Sequence, residues 1–185
     1  ESLYNFVPAC LVFGYLMTML GERSGRGCEG PWSFSKGAAC VRQSEIVMVD
    51  DGGGKSTMLK CFNLETKAND VINLTDDIKQ FVAESGIQSG ECIVFNPHTT
   101  AGLTITSFWD PAGFEDLQDE ICRLIPTRID FKHQHDTPTD AAGHVKCSLL
   151  GVSIPLIIDG GKLVLGGSQG IFFLEFDGPR KRKYY

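Results

Sequence analysis

The sequence predicts an α+β domain, on three observations. Short strand-like runs recur along most of the chain. Isolated stretches of helical periodicity interrupt them without a regular β-α-β alternation. Gly-rich turns, Gly160-Gly161 and Gly166-Gly167, join the last runs.

Gln43 to Asp50 (QSEIVMVD) and Thr57 to Leu64 (TMLKCFNL) read as two strands, and Asp50 to Ser56 (DDGGGKS) as the hairpin turn between them. The tail Gly54-Lys55-Ser56 is not a phosphate-binding loop. That motif needs a glycine five positions before the second one, and Val49 stands there. After the short apolar run Val71 to Leu74, Thr75 is expected to cap a helix with Asp76 and Asp77 in its first turn. Ile78, Phe81 and Val82 give that helix its apolar side, and Gly86 is its expected C-cap.

Glu91 to Asn96 is a buried strand ending at Pro97, and Leu103 to Ser107 is another. Pro111 to Ile125 reads as a helix with Phe114, Leu117, Ile121 and Leu124 on one side, closed by Pro126. Ser153 to Ile158, Lys162 to Leu165 and Ile171 to Phe176 are three late strands. No internal repeat or heptad pattern is present.

The 185 residues suit one domain with some excess. The expected division is an N-terminal extension over residues 1–40 and a folded domain over 41–185. Beginning at Glu1 rather than Met, the sequence is expected to be a fragment or a processed form. Leu3 to Leu20 is uncharged and mostly apolar but carries Pro8 and Gly14, and no basic stretch precedes it. A targeting remnant, a membrane anchor and an appended segment stay open, the first and third preferred to the anchor. Gly21 to Gly37 reads as a linker.

A net charge of -6 argues against a nucleic-acid partner, which favours a basic excess. A small anionic substrate is still allowed, because a local site can be positive within an acidic protein. The seven cysteines show no C-x-x-C pair. Cys61, Cys92, Cys122 and Cys147 are therefore expected to be small buried residues of a reducing compartment, cytoplasmic or organellar.

All four histidines, His98, His133, His135 and His144, fall between the strand ending at Pro97 and the late strands. Imidazoles arriving from separate loops are a common way to hold zinc or a similar ion. From spacing alone, a surface or hydrogen-bonded role for each is the preferred reading. His133 and His135 would share a face on an extended segment. His98-Thr99-Thr100-Ala101-Gly102 can present hydroxyl and N–H donors to a phosphate, or can be a self-satisfied turn. Asp116 and Asp140 could orient a ligating imidazole or be surface charges. Glu175 alternates with Phe173 and Ile171, so it is either a site residue or half of a buried ion pair. Arg180 to Lys183 reads as a solvated terminal strand or tail.

Several boxes together resemble the YjbQ-like family, associated with a secondary thiamine-phosphate synthase activity. Pro97-His98-Thr99-Thr100-Ala101-Gly102-Leu103-Thr104-Ile105 matches its PHTTAGLTI box, and Asp110-Pro111 with Asp116-Leu117 its helix start. Phe131-Lys132-His133 is its aromatic-x-His. Asp140 to His144, then Val145-Lys146 with Ser148-Leu149-Leu150-Gly151, resembles its AH-x-K-x-SLLG box. Lys162 to Gly166 with Gln169, then Glu175-Phe176-Asp177-Gly178-Pro179-Arg180, resemble its closing signatures.

The resemblance implies a two-sheet β-sandwich of about seven strands with flanking helices, assembled as a homotrimer. It implies a divalent metal, zinc, at His98, His133 and His144. On that reading Thr99, Thr100 and Gln169 are expected at a small phosphorylated substrate, and Lys146, Asp116 and Glu175 are the expected catalytic residues, the two acids as stand-ins for the family's glutamate. The implied reaction joins a pyrimidine methyl diphosphate to a thiazole phosphate and releases pyrophosphate. The alternatives are a non-catalytic metal- or anion-binding trimer and a metal-dependent hydrolase. The chain departs from the family at Thr106 and Ser107, where Asn-Glu is usual, at Ser168, where Trp is usual, and at Gly143, where Ala is usual.

Overall fold

A computed structural model describes residues 34–35, 46–50 and 56–185, with side chains from residue 57 onward. In chain order the elements are β1 (Phe34–Ser35), β2 (Ile46–Asp50), β3 (Ser56–Lys60), β4 (Phe62–Thr66), β5 (Val71–Asn73) and α1 (Thr75–Ser85). There follow β6 (Ser89–Phe95), β7 (Ala101–Ser107), α2 (Pro111–Leu124), α3 (Pro138–Leu150), β8 (Ser153–Asp159), β9 (Lys162–Leu163), β10 (Gln169–Glu175) and β11 (Arg180–Tyr184). The α+β class expected from sequence is what these residues form. The N-terminal apolar segment, and the glycines of the turn between β2 and β3, lie outside the described residues.

One sheet runs β1-β5-β10-β7. Phe34–Ser35, read from sequence as linker, adds a parallel strand to the edge of β5. The second layer is built from β4 with β11 and from β6-β8-β9. Reciprocal backbone bonds of 2.8 Å between Phe95 and Tyr185 join these two pieces. Alternation along each strand sends one set of side chains inward. Ile72, Leu103, Ile171 and Phe173 from the first sheet meet Leu64, Val94, Leu156 and Tyr184 from the second in one core, with Ile78 and Val82 of α1. The opposite face of β10, Phe172 and Leu174, packs on Phe114 of α2, with Leu117, Ile121 and Leu150 against it. The layers are thus sheet, sheet, helices, and α3 lies along β7.

Three local readings need correction. Thr75 is the first residue of α1 and not its cap. Its hydroxyl accepts from Ile171 N–H at 2.9 Å, which ties the helix to β10, and Leu74 precedes the helix without a side-chain cap. Residues 138–150 form a helix that the apolar run Val145 to Leu150 does not announce by periodicity. Thr137 caps it by accepting from Asp140 N–H at 3.1 Å, with Pro138 in its first turn. Cys122 is disulfide-bonded, whereas Cys61, Cys92 and Cys147 are free. A half-buried cysteine on a helix face is open to pairing in a way that the fully buried Cys92 and Cys147 are not.

Other readings hold. Gly86 ends α1 at φ 70°, a left-handed position that glycine adopts without cost. Asp110 caps α2 by accepting from Ala112 N–H at 3.0 Å. No helix among the described residues is long and apolar enough to cross a membrane.

Candidate metal centre

The early turns of α3 build the site. Thr137 and Pro138 start the helix, so Asp140 and His144 fall four residues apart on one face. The loop before α3 carries His133 back over that face. Asp140 Oδ2 lies 3.3 Å from His133 Nε2 and 3.2 Å from His144 Nε2. The two imidazole rings are 5.2 Å apart and nearly perpendicular. Donor atoms of these three residues all lie within 4.8 Å of one another.

The protonation pattern of His144 follows from the carbonyl behind its ring. His144 Nδ1 stands 3.2 Å from the carbonyl oxygen of Thr99. A carbonyl only accepts, so Nδ1 carries the proton and a neutral His144 turns the Nε2 lone pair toward Asp140. Lone pair and carboxylate then face each other across 3.2 Å. Two acceptors hold such a position only with a cation between them, either a proton or a metal ion.

A divalent ion fits. Ligand bonds of about 2.0–2.1 Å to a tetrahedral zinc imply ligand-to-ligand edges of about 3.3–3.4 Å. The edges that Asp140 makes with both histidines are 3.3 and 3.2 Å. Two imidazoles and a carboxylate are a donor set that zinc accepts, with a further position open to water or substrate. His133 and His144 are both partly exposed, so that position has access.

His98 is not part of this cluster. Its Nε2 accepts the backbone N–H of Lys183 at 2.9 Å, which turns the ring toward β11. Burial and the nearby positive charge of Arg182 hold its pKa below the ordinary histidine value. His135 stacks edge-on to His133 with centroids 5.7 Å apart. The exposed Thr99 lends its carbonyl, while the buried Thr100 accepts from Arg182 Nη2 at 2.8 Å.

The other expected site residues lie elsewhere. Lys146 follows His144 by two residues, roughly 200° around the helix. It points inward, its Nζ 3.4 Å from Cys122 Sγ and 5.8 Å from the Phe176 ring centre, and burial pushes its pKa down to about 8. Glu175 is the buried half of an ion pair, bonded by Arg182 Nε at 2.7 Å and Nη2 at 2.6 Å, with Thr66 donating at 2.8 Å. Asp116 is exposed on α2. Gln169 pairs with Ser107 at the far end of β7, and its side chain accepts from Gly166 N–H.

The family model described as "UPF0047 protein YjbQ-like" matches residues 60–185. The chain belongs to the YjbQ-like UPF0047 family. The family's YugU protein of Bacillus subtilis is 38% identical over 131 residues, 69% of this chain and 96% of that protein. A UPF0047 protein of Methanocaldococcus jannaschii is 40% identical over 129 residues, 69% of this chain and 91% of its own length. Among solved structures, a YjbQ/UPF0047 protein of Clostridium acetobutylicum superposes with a TM-score of 0.64 at 41% identity, covering 68% of this chain and 95% of that one. A Sulfolobus solfataricus relative, described as of unknown function, gives 0.64 at 26% identity, covering 77% and 95%. The matched YjbQ-like region contains β4 through β11, and so the whole of the His133–Asp140–His144 cluster.

The sequence offers Asp140 as an acid that could orient a ligating imidazole; in the structure its Oδ2 stands among the donor atoms themselves. The available signal was the Thr137-Pro138 helix start, which puts Asp140 and His144 on one helical face.

Proposed function

We propose that the protein binds a divalent metal, zinc, through His133, Asp140 and His144, and uses that site on a small phosphorylated substrate in a thiamine-phosphate synthase-like transfer. The carrying observation is the convergence of two imidazole Nε2 atoms on one oxygen of Asp140, with the His144 tautomer set from behind by Thr99. A bound divalent ion would neutralise charge on a departing pyrophosphate. Asp140 would supply the one negative charge of the donor set, and Thr99 holds the proton of His144 on Nδ1, away from the ligand side.

A pocket of about 120 Å³ adjoins the site, lined by Arg128, Phe131, His133, Asp136 and Pro138 among others. Small-molecule sites usually measure about 300–1,000 Å³. A substrate with two rings needs more wall than this pocket offers, which supports the homotrimer that the family resemblance implies. The free thiols of Cys61, Cys92 and Cys147 support a reducing compartment, and the Cys122 disulfide weighs against it.

The test is zinc titration by calorimetry on the metal-free protein, followed by turnover of the two phosphorylated rings. Asp140→Asn should weaken zinc binding by more than the ~10–100-fold typical of an outer-sphere loss. Unchanged affinity in that variant would remove the metal site. A second reading, a non-catalytic binding protein, is favoured by the absence of Lys146, Asp116 and Glu175 from the cluster. Tight zinc binding without turnover would select it. Release of inorganic phosphate from either ring alone would select a metal-dependent hydrolase.

A further inference from the structure

A continuous set of contacts runs from the buried ion pair to the candidate metal centre. Arg182 Nη2 bonds both Glu175 Oε1, at 2.6 Å, and the Thr100 hydroxyl, at 2.8 Å. The next residue back along the chain, Thr99, presents its carbonyl to His144 Nδ1. Thr100 is held on its other sides as well. Its carbonyl accepts from Phe176 N–H at 3.1 Å. Its methyl side packs on Gly143, where a Cβ would stand only 3.2 Å from Thr100 Cβ and Cγ2. Helix α3 therefore presses against Thr100 one residue before His144.

We propose that Thr100 and Arg182 are positioning residues for His144, a role that rests on the metal reading given above. Arg182 anchors the Thr100 hydroxyl, Thr100 sets the peptide that follows Thr99, and the Thr99 carbonyl fixes the ring orientation and tautomer of His144. Neither residue touches the ion. The arrangement suits a site whose ligand is half-exposed. A surface imidazole would otherwise sample several rotamers and both tautomers, and each wrong one would cost affinity. It also gives a purpose to a buried arginine in a terminal stretch of alternating cations. Arg182 alone of Arg180, Lys181, Arg182 and Lys183 is buried, since alternation in β11 turns it inward.

The experiment uses the full chain and three variants. Thr100→Val keeps the shape against Gly143 and removes the hydroxyl. Thr100→Ser keeps the hydroxyl. Arg182→Lys keeps a charge beside Glu175 but loses the forked geometry. Zinc affinity is read by calorimetry, the presence of a proton on His144 Nδ1 by nitrogen-15 NMR of the metal-free protein, and folding by thermal melting without zinc. The expected result is a folded Thr100→Val with zinc binding weakened about 10–100-fold and the Nδ1–H form of His144 no longer dominant. Arg182→Lys should move the same way, and Thr100→Ser should match the parent in both readouts. Parental affinity in Thr100→Val, or an equal loss in Thr100→Ser, overturns the proposal. So does a parent in which His144 Nδ1 carries no proton, a measurement that stands even if a variant does not fold. A parent that binds no zinc yet keeps the Nδ1–H tautomer and loses it in Thr100→Val would refute the metal reading and leave the positioning role intact.

Discussion

Thr99 and His144 are 45 residues apart in the chain, and the carbonyl of one meets the ring Nδ1 of the other at 3.2 Å. That contact joins the strand-end loop before β7 to the middle of α3. It fixes the ring of a histidine on a helix surface and turns its Nε2 toward Asp140.

Glu175 is 1% exposed, and its carboxylate is shared by Arg182, Thr66 and the N–H of Asp177. Glu175→Gln leaves the buried guanidinium without a counter-charge, so a loss of about 3–5 kcal/mol in unfolding free energy is expected. Replacing both partners by methionine should recover part of it. Urea denaturation of the two single variants and the double variant gives the coupling. Additive losses would show that the two residues do not act as a pair.

The His98 pKa is lowered in the folded protein from 6.5, by burial first and then by Arg182. The sign follows from linkage. The unfolded chain takes up the proton more readily, so stability contributed by neutral His98 is present above the unfolded value and is lost as pH falls through the folded one. Metal-free protein should therefore lose stability below pH ~6.5. His98→Gln keeps an acceptor for Lys183 N–H without titrating, and should show a shallower decline. Superimposable pH profiles would count against this role for His98.

Gly102 lies where β7 passes under α3. A Cβ there would stand 3.1 Å from Leu150 Cβ and 3.2 Å from its Cδ1. Gly102→Ala should push the helix outward and cost about 1–3 kcal/mol as overpacking. Because the same helix carries His144, zinc affinity should fall with stability. Leu150→Ala in the same background removes the Cδ1 contact but keeps the Cβ one, so it should restore only a small part of the affinity, which calorimetry can follow.

Ser107, where the family usually has glutamate, lies at the opposite end of β7 from the Thr99–His144 contact. Six residue steps of extended chain separate Ala101 from Ser107, about 20 Å. Within one chain Ser107→Glu should leave zinc affinity unchanged. A gain in turnover from that variant would then report a second subunit bringing the position to the site, and a monomeric mutant would not show it.

The outward face of β6 and β8 exposes Ile93 by 58% and Ile157 by 62% on neighbouring strands. Paired apolar exposure of this kind on a sheet face suits subunit contact. Light scattering should give about three times the chain mass, and the double variant Ile93→Asp with Ile157→Asp should give one. A parent that scatters as a single chain would end the trimer reading.

The sequence by itself determined what depends on near neighbours. The strands β6 and β8, the apolar side of α2 and the glycine cap of α1 each repeat or terminate within a few residues, so local spacing encodes them. It also pointed to His133 and His144. The exposure of Ile93 and Phe95 in β6, a strand read from sequence as buried, was decided by its place at the sheet surface. Tertiary structure decided which groups meet. Glu175 could have been catalytic, and it becomes half of an ion pair only because β11 brings Arg182 inward beside it. His98 could have been a ligand, but the N–H of Lys183, 85 residues away, takes its lone pair. Asp140 enters the cluster because a Thr-Pro cap starts α3 where an apolar run gave no helical period. Contacts of this separation follow from strand order and helix docking, and neither is written in the spacing of residues along a single segment.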